Sequence, residues 1–363
     1  MTFYINTIKL LLTVIYLTLN NKKEQICLRY YTYKSDKIQQ LLLEEMLKTI
    51  YLLFTLTLST LSNAWKIEGI GEFSPEKISN NLFVIHGPFG KPNIQNQGFI
   101  NNPGIIIGKE GVIIIDPGSS YDIGKKVIKE VEKITKKPII SVFNTHIHGD
   151  HWLGNHAIIE KYPNTKIYAH PQMIIEAKNG KGNKWINIMT TLTNGLTKDT
   201  IATYPTNPIK HLQVIKLDSE QFKIHNPTIK SHTNTDIMIE HINSKTLFLG
   251  DNSFVNRMGP FDNSSSIHDN IKVLQYATNL GLNYYVPGHG SSGNVNHTVK
   301  PFLDYLLIIQ SEAKKGYEKD FTDYEIKPIA IKKLNSYKNW HGFYGQLGNH
   351  ISKVLLEVEA LEL

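Results

Sequence analysis

At 363 residues, with 41% hydrophobic and 20% charged residues, the chain can bury a substantial core and has the composition of a folded globular protein, which excludes disordered and fibrous classes. Its formal net charge is +7, of which the first 64 residues, with seven Lys/Arg against four Asp/Glu, carry +3. The remainder is mildly basic and lacks a dense Lys/Arg run with interleaved aromatics, so a solvated surface is favoured over a nucleic-acid interface. Cys27 is the single cysteine, so the body of the chain can form no internal disulfide and offers no thiolate. Any metal there must be held by nitrogen and oxygen, and all 15 histidines follow residue 64.

Two short apolar stretches open the chain, Leu10 to Leu19 and Ile50 to Leu61, each too short for a membrane-spanning helix of about 20 residues. Met46, then Lys48, an apolar run and Ser62-Asn63-Ala64 follow the basic, apolar and small-residue order of a secretory signal cleaved after Ala64. This reading makes Met46 the start, residues 1–45 a non-structural extension, residues 46–64 the signal peptide, and Trp65 the first mature residue. It places the mature protein in the periplasm or outside the cell, with no stable membrane anchor once the signal is removed. The competing reading is a genuine N-terminal extension with an anchor.

From Leu82 onward, short β-rich runs alternate with turns and helical stretches. Leu82 to His86 predicts a strand, Gly104 to Ile107 and Val112 to Asp116 a hairpin, Tyr121 to Lys136 an amphipathic helix, and Pro138 to Asn144 a buried strand. That order fits a layered α/β architecture. The long Pro, Gly and Asn-rich loop Gly87 to Gly104 is a candidate substrate cover. After about Val295 the chain reads as helical to its end. Phe343, Leu347, Ile351, Val354, Leu355, Val358 and Leu361 fall on one face, which either packs on the main domain or forms a homodimer contact.

The buried strand delivers Thr145-His146-Ile147-His148-Gly149-Asp150-His151, four metal-ligand side chains within six residues. In an extended segment His146 and His148 point the same way, so one ion can take both. The chain then turns through Gly149 and presents Asp150 and His151 to a second position. Packing these groups without a metal would crowd imidazoles beside a carboxylate for no structural gain. The ten histidines outside the clusters lack such spacing and read as surface or satisfied core residues. Trp152 reads as a packing residue. Arg257 reads equally as an anion-binding group or a surface ion pair.

The HxHxDH run resembles the signature of the metallo-β-lactamase superfamily. Further segments are similar in the same order: Val112 to Gly118 with Asp116, Ser-His-Thr-Asn-Thr-Asp-Ile with His232, Leu-Phe-Leu-Gly-Asp with Asp251, and Val-Pro-Gly-His-Gly with His289. The likeness covers roughly residues 80 to 295. Within it, the loop His86 to Gly90, the segment around His232 and the helix Trp340 to Glu359 look like the exported metallohydrolases associated with quinoprotein relay or sulfur oxidation.

The resemblance implies a four-layer αββα sandwich over residues 65–295, with a C-terminal helical extension over 296–363. It implies two Zn²⁺, with iron or manganese also compatible with these ligands. His146, His148 and His232 would hold one ion, Asp150, His151 and His289 the other, with Asp251 between them and Asp116 hydrogen bonding to the metal loop. Three neutral nitrogens and an open fourth position are the arrangement of a catalytic zinc site.

The activity implied is hydrolysis of an acyl bond (thioester, ester or lactam) of a small molecule by metal-bound hydroxide, with Asp150 orienting the nucleophile and relaying its proton. Enzymes of the family that destroy β-lactams commonly carry Cys or Ser where this chain has Asp251, which weighs against that activity. A β-lactamase, a mononuclear iron enzyme of sulfur metabolism, and a metal-binding accessory protein with a redox-system partner are the alternative readings.

Overall fold

The fold is known from a computed structural model, which describes Lys48 and residues 74–362. Lys48 aside, the readings of residues 1–64 lie outside the described residues. The chain divides after Lys66 into two units, and the fold described here is that of the second.

Two sheets carry it. The first has seven strands in the order β1 (Glu76–Lys77), β2 (Leu82–Val84), β3 (Gly104–Ile107), β4 (Val112–Ile115), β5 (Ile139–Phe143), β6 (Lys166–Ala169), β7 (Asn207–Pro208). The second has five, ordered β12 (Tyr284–His289), β11 (Thr246–Phe254), β10 (Met238–His241), β9 (Glu220–His225), β8 (Val214–Leu217). The expected hairpin is present, with Gly104 opposite Ile115 and Ile107 opposite Val112. From β4 onward the first sheet is parallel, because the helix α1 (Tyr121–Ile134) carries the chain across its face. That helix stops two residues short of the expected end, at extended Thr135, as the approach to Pro138 disfavours helical backbone.

Alternation along the strands sorts the apolar side chains into layers. Leu82, Val84, Ile106, Ile113 and Phe143 of the first sheet meet Phe222, Ile224, Ile239, Phe248 and Val286 of the second. On the outer face of the first sheet, Ile105, Val112, Ile114 and Val142 pack with Ile123, Val127 and Val131 of α1 and with Ala157 and Ile158 of α3 (Asn155–Lys161), the short α2 (Gly149–Trp152) lying just before it. The outer face of the second sheet packs Met238, Leu247, Leu249 and Tyr285 against the remaining helices. The result is the αββα sandwich. β4 is buried along its whole length because both its faces are covered.

Between β6 and β7 in sequence lie α4 (Pro171–Glu176), a π turn over Ala177–Lys181 and α5 (Gly182–Leu192). Later come α6 (Ile267–Asn279), α7 (Val295–Thr298), α8 (Lys300–Tyr317), α9 (Asp323–Lys333) and α10 (Phe343–Glu362). In α10, Phe343, Leu347, Ile351, Val354, Leu355 and Val358 are buried in the same core as Phe302, Tyr305 and Leu306 of α8. The seventh residue of the expected face, Leu361, is 64% exposed, since the last turn of α10 runs past the core it packs on. Among the described residues no helix is long and apolar enough to cross a membrane.

That core encloses His350, whose Nδ1 accepts from Tyr305 Oη at 2.8 Å while Nε2 donates to Gly259 O at 2.9 Å. Burial pushes its pKa down to about 4 from an ordinary 6.5. The unfolded chain therefore binds more protons between these values, so His350 contributes fully above pH 6.5 and its contribution is lost as pH falls toward 4. The expected loss is roughly 3 kcal/mol. Thermal melts at pH 7 and pH 4.5 should show a smaller acid-induced drop in His350→Gln than in the parent chain; equal drops would exclude His350 as the cause.

Candidate metal centre

The ligand-bearing segments all emerge at one end of the sandwich. His146 and His148 follow the end of β5, and His148 stands as the extended residue before α2. The helical turn of α2 then places Asp150 and His151, which is how six consecutive residues serve two positions. Asp251 lies within β11 and His289 ends β12, its parallel neighbour.

β11 bulges around Gly250, whose φ is 55°. A Cβ there would press on Thr145, and the left-handed turn aims Asp251 inward. Gly288 is required for a different reason: a Cβ there would occupy the place of Asp251 Oδ1.

All seven side chains converge into two adjoining groups, His146, His148, His232 and Asp251, and Asp150, His151 and His289. In the first, His232 Nε2 lies 3.0 Å from His148 Nδ1. In the second, His151 Nε2 lies 3.3 Å from His289 Nε2, and Asp150 Oδ2 is 3.6 Å and 3.3 Å from those two nitrogens. Asp251 spans the groups. Its Oδ2 is 3.4 Å from His232 Nε2 and 3.9 Å from His146 Nε2, whereas its Oδ1 is 3.1 Å from His151 Nε2 and 3.3 Å from His289 Nε2.

Outer contacts fix the rings. Asp116, in the left-handed region at φ 52°, accepts from Thr145 N at 2.8 Å, Thr145 Oγ1 at 2.6 Å and His151 Nδ1 at 2.7 Å. This leaves His151 Nε2 facing the centre. His289 Nδ1 donates to Ile100 O at 2.7 Å, with the same result. The His232 loop is tied by Asp236, which accepts from Ser231 Oγ, Thr233 N and Thr233 Oγ1.

The donor set suits divalent cations. Burial pushes the His232 pKa down to about 3, and burial with neighbouring His151 lowers that of His146, so both rings are neutral with lone pairs free. Burial likewise raises the Asp150 carboxyl, but His151 and His289 outweigh it and hold the group ionised. His151 is driven the other way: burial lowers its pKa, and Asp251, Asp150 and Asp116 together raise it well above the ordinary range. The centre thus favours positive charge, which cations supply better than a proton on His151. His146 Nε2 and Asp251 Oδ1 are buried without a hydrogen bond, a costly state unless an ion takes them.

Beside the groups opens a cavity of ≈ 450 Å³. One wall is α5, with Trp185, Ile188, Met189 and Leu192 facing in, and Trp185 packs on His148 at 4.8 Å between ring centroids. The opposite wall comes from Arg257, Met258 and Pro260 after β11 and from His341 and Gln346 near the start of α10. The expected cover, Gly87 to Gly104, divides in two. Lys91 and Pro92 line the cavity, while Asn102 clamps the His289 turn through Pro287 O at 2.9 Å and Gly290 O at 2.7 Å.

Trp185 and His341 were not singled out from the sequence. The i, i+3, i+4, i+7 spacing of Trp185, Ile188, Met189 and Leu192 is a signal that could have found the first. No local signal could have found the second. Trp152 packs as expected, fully buried with Nε1 donating to Ile147 O. Arg257 is buried and, among the described residues, makes no surface ion pair.

A family model described as the metallo-β-lactamase superfamily matches residues 96–289. The fold and this centre are those of a metal-dependent hydrolase. The chain belongs to the metallo-β-lactamase superfamily.

Over 209 residues it is 27% identical to a probable metallo-hydrolase of Methanocaldococcus jannaschii, a match covering 55% of this chain and 93% of the relative. Over 98 residues it is 26% identical to the hydroxyacylglutathione hydrolase of Acaryochloris marina, covering 27% of this chain and 29% of that protein. Among solved structures, the stereoselective inverting sec-alkylsulfatase of a Pseudomonas species is similar with a TM-score of 0.62 at 17% identity. That likeness covers 78% of this chain and half of the sulfatase, and it concerns the fold alone.

Proposed function

We propose that the mature chain is an exported, dinuclear zinc hydrolase of small-molecule acyl bonds, with a thioester or ester preferred over a lactam. The observation that carries the two-ion reading is Asp251, one carboxylate whose two oxygens each face a different cluster. His146, His148 and His232 would hold one ion and Asp150, His151 and His289 the other. The thioester preference draws on the hydroxyacylglutathione hydrolase likeness and on an aspartate at position 251. The export reading rests on the Met46 to Ala64 pattern alone.

When bound, the ions supply a water acidic enough to attack at neutral pH and positive charge for the oxygen that develops negative charge. The chain's own side chains do the rest. Asp150 both belongs to the second cluster and lines the cavity, so its ionised carboxylate can hold and move a proton. Hydrolysis places the hydroxyl of water on the acyl carbon, breaks the bond to sulfur, oxygen or nitrogen, and sends the proton to the leaving group by way of Asp150. Trp185 and Ile188 keep the substrate side of His148 apolar, which excludes bulk water and strengthens the electrostatics within.

Removing one ring tests the assignment. His148→Ala is expected to lose bound metal and to lower hydrolysis of a thioester, ester, lactam, phosphoester and alkyl sulfate panel by more than the ~10–100-fold typical of an outer partner. Full metal loading with retained turnover in that variant would refute it. A fully loaded parent chain inert on the whole panel would refute the hydrolytic reading itself.

A further inference from the structure

The proposed hydrolysis leaves one buried cation unused. Arg257 is 8% exposed and lines the cavity, yet among the described residues its guanidinium makes no ion pair. Its Nη1 lies 3.2 Å from His289 Nδ1. That nitrogen donates to Ile100 O, so it cannot also accept from the guanidinium. The fork of five N–H donors therefore faces the cavity, attracted by Asp251 and Asp150 but with no acceptor in hydrogen-bond contact among the described residues, so an anion entering the cavity can take it.

The position is built rather than accidental. Met258 N donates to His341 O and His341 N to Asn256 O, both at 2.9 Å, so the backbone on either side of Arg257 is latched to the segment leading into α10. Other charges around the cavity point the same way. Lys184 lines it without an ion pair among the described residues. Apart from the cluster aspartates, the carboxylate on its wall is Asp262, already occupied by Ser264 N at 2.7 Å and Ser264 Oγ at 2.6 Å. The facing wall of Trp185, Ile188 and Leu192 is apolar.

We infer that Arg257 binds an oxyanion group of the substrate, and that the substrate is an amphiphile whose carboxylate, sulfate or phosphate sits on the guanidinium while an apolar body lies along Trp185, Ile188 and Leu192. The fork of an arginine matches two oxygens of such a group at once, which a lysine ammonium cannot do. The word substrate rests on the hydrolytic reading above, but the binding is separable from turnover and is tested without it.

The metal-loaded full chain is titrated calorimetrically with octanoate, octyl sulfate and octyl phosphate, and with octanol as the uncharged counterpart. The parent chain is expected to bind at least one anion about tenfold or more tighter than octanol, with the best of the three naming the headgroup. Arg257→Gln should weaken anion binding by roughly 10–100-fold, the scale of hydrogen bonds to a charged group, and leave octanol binding within about twofold. Arg257→Lys, which keeps the charge and is the less disruptive change, should recover only part of the loss. Metal content is measured in each variant alongside.

Equal affinity of the parent for octanol and all three anions would overturn the inference, as would an Arg257→Gln variant that keeps full anion affinity. An Arg257→Lys variant matching the parent would overturn the two-oxygen recognition. Anion binding that depends on Arg257 in a chain inert on the hydrolase panel would leave this inference standing and the hydrolytic reading refuted; turnover without anion preference would do the reverse.

Discussion

Asp251→Asn is expected to reduce bound metal from two ions to at most one per chain and to lower hydrolysis by at least ~10²–10³-fold, the scale of removing one charge-stabilising group from a reaction centre. The amide keeps the size of the side chain but withdraws the negative charge that both clusters share. Each oxygen of Asp251 lies within 3.4 Å of at least one ligand nitrogen of its own cluster, so neither position is spared. Asp150→Asn makes the informative contrast, because Asp150 belongs to the second cluster alone. It should lose one ion and retain the other. Metal analysis after dialysis, with circular dichroism to verify folding, separates the two variants. An Asp251→Asn chain that still carries two ions would remove the basis for a shared carboxylate.

The second large effect concerns α10. A chain ending at Trp340 should not fold cooperatively. It would strip six buried apolar side chains, Phe343, Leu347, Ile351, Val354, Leu355 and Val358, from the core beside α8. At ~1.5–3 kcal/mol each, their burial is of the order of the whole stability of an ordinary domain. The control is Leu356→Ala on the same helix, 62% exposed, which should stay within about 0.5 kcal/mol of the parent. Denaturant titration followed by far-ultraviolet circular dichroism reads both. A truncated chain with an unchanged cooperative transition would make α10 an appendage rather than part of the core. The same helix begins where Gln346 lines the cavity, so stability and substrate space are linked through it.

The layered α/β class was legible because its signals are local. Continuous apolar runs at 104–107 and 112–115 with a short turn between them can pair in few ways, and they form the hairpin they suggest. The amphipathic run from Tyr121 is a helix for the same reason, capped by Ser120 Oγ. The HxHxDH run was legible because six residues hold both halves of the centre, and ligand chemistry depends on residue type before it depends on position. His232, Asp251 and His289 were reachable through resemblance, since nothing in their own neighbourhoods says that they meet.

Tertiary structure decided what depends on distance rather than on type. Only the folded chain shows that the two oxygens of Asp251 face opposite ways, because the bulge at Gly250 and the bare backbone of Gly288 act across two strands. It also divides the loop Gly87 to Gly104 into a cavity edge at Lys91 and a clamp on His289 at Asn102. Burial adds two facts the sequence could not supply: Arg257 lies on the cavity wall, and the apolar face of α10 packs on the chain's own core, the arrangement the sequence favoured. The sequence by itself determined the class of fold and the kinds of ligand, because periodicity and donor chemistry are written residue by residue. Which side chains share a cavity or a centre was decided by packing among segments far apart in the chain, as with Ile100 and His289, 189 residues apart, a separation across which no local pattern carries information.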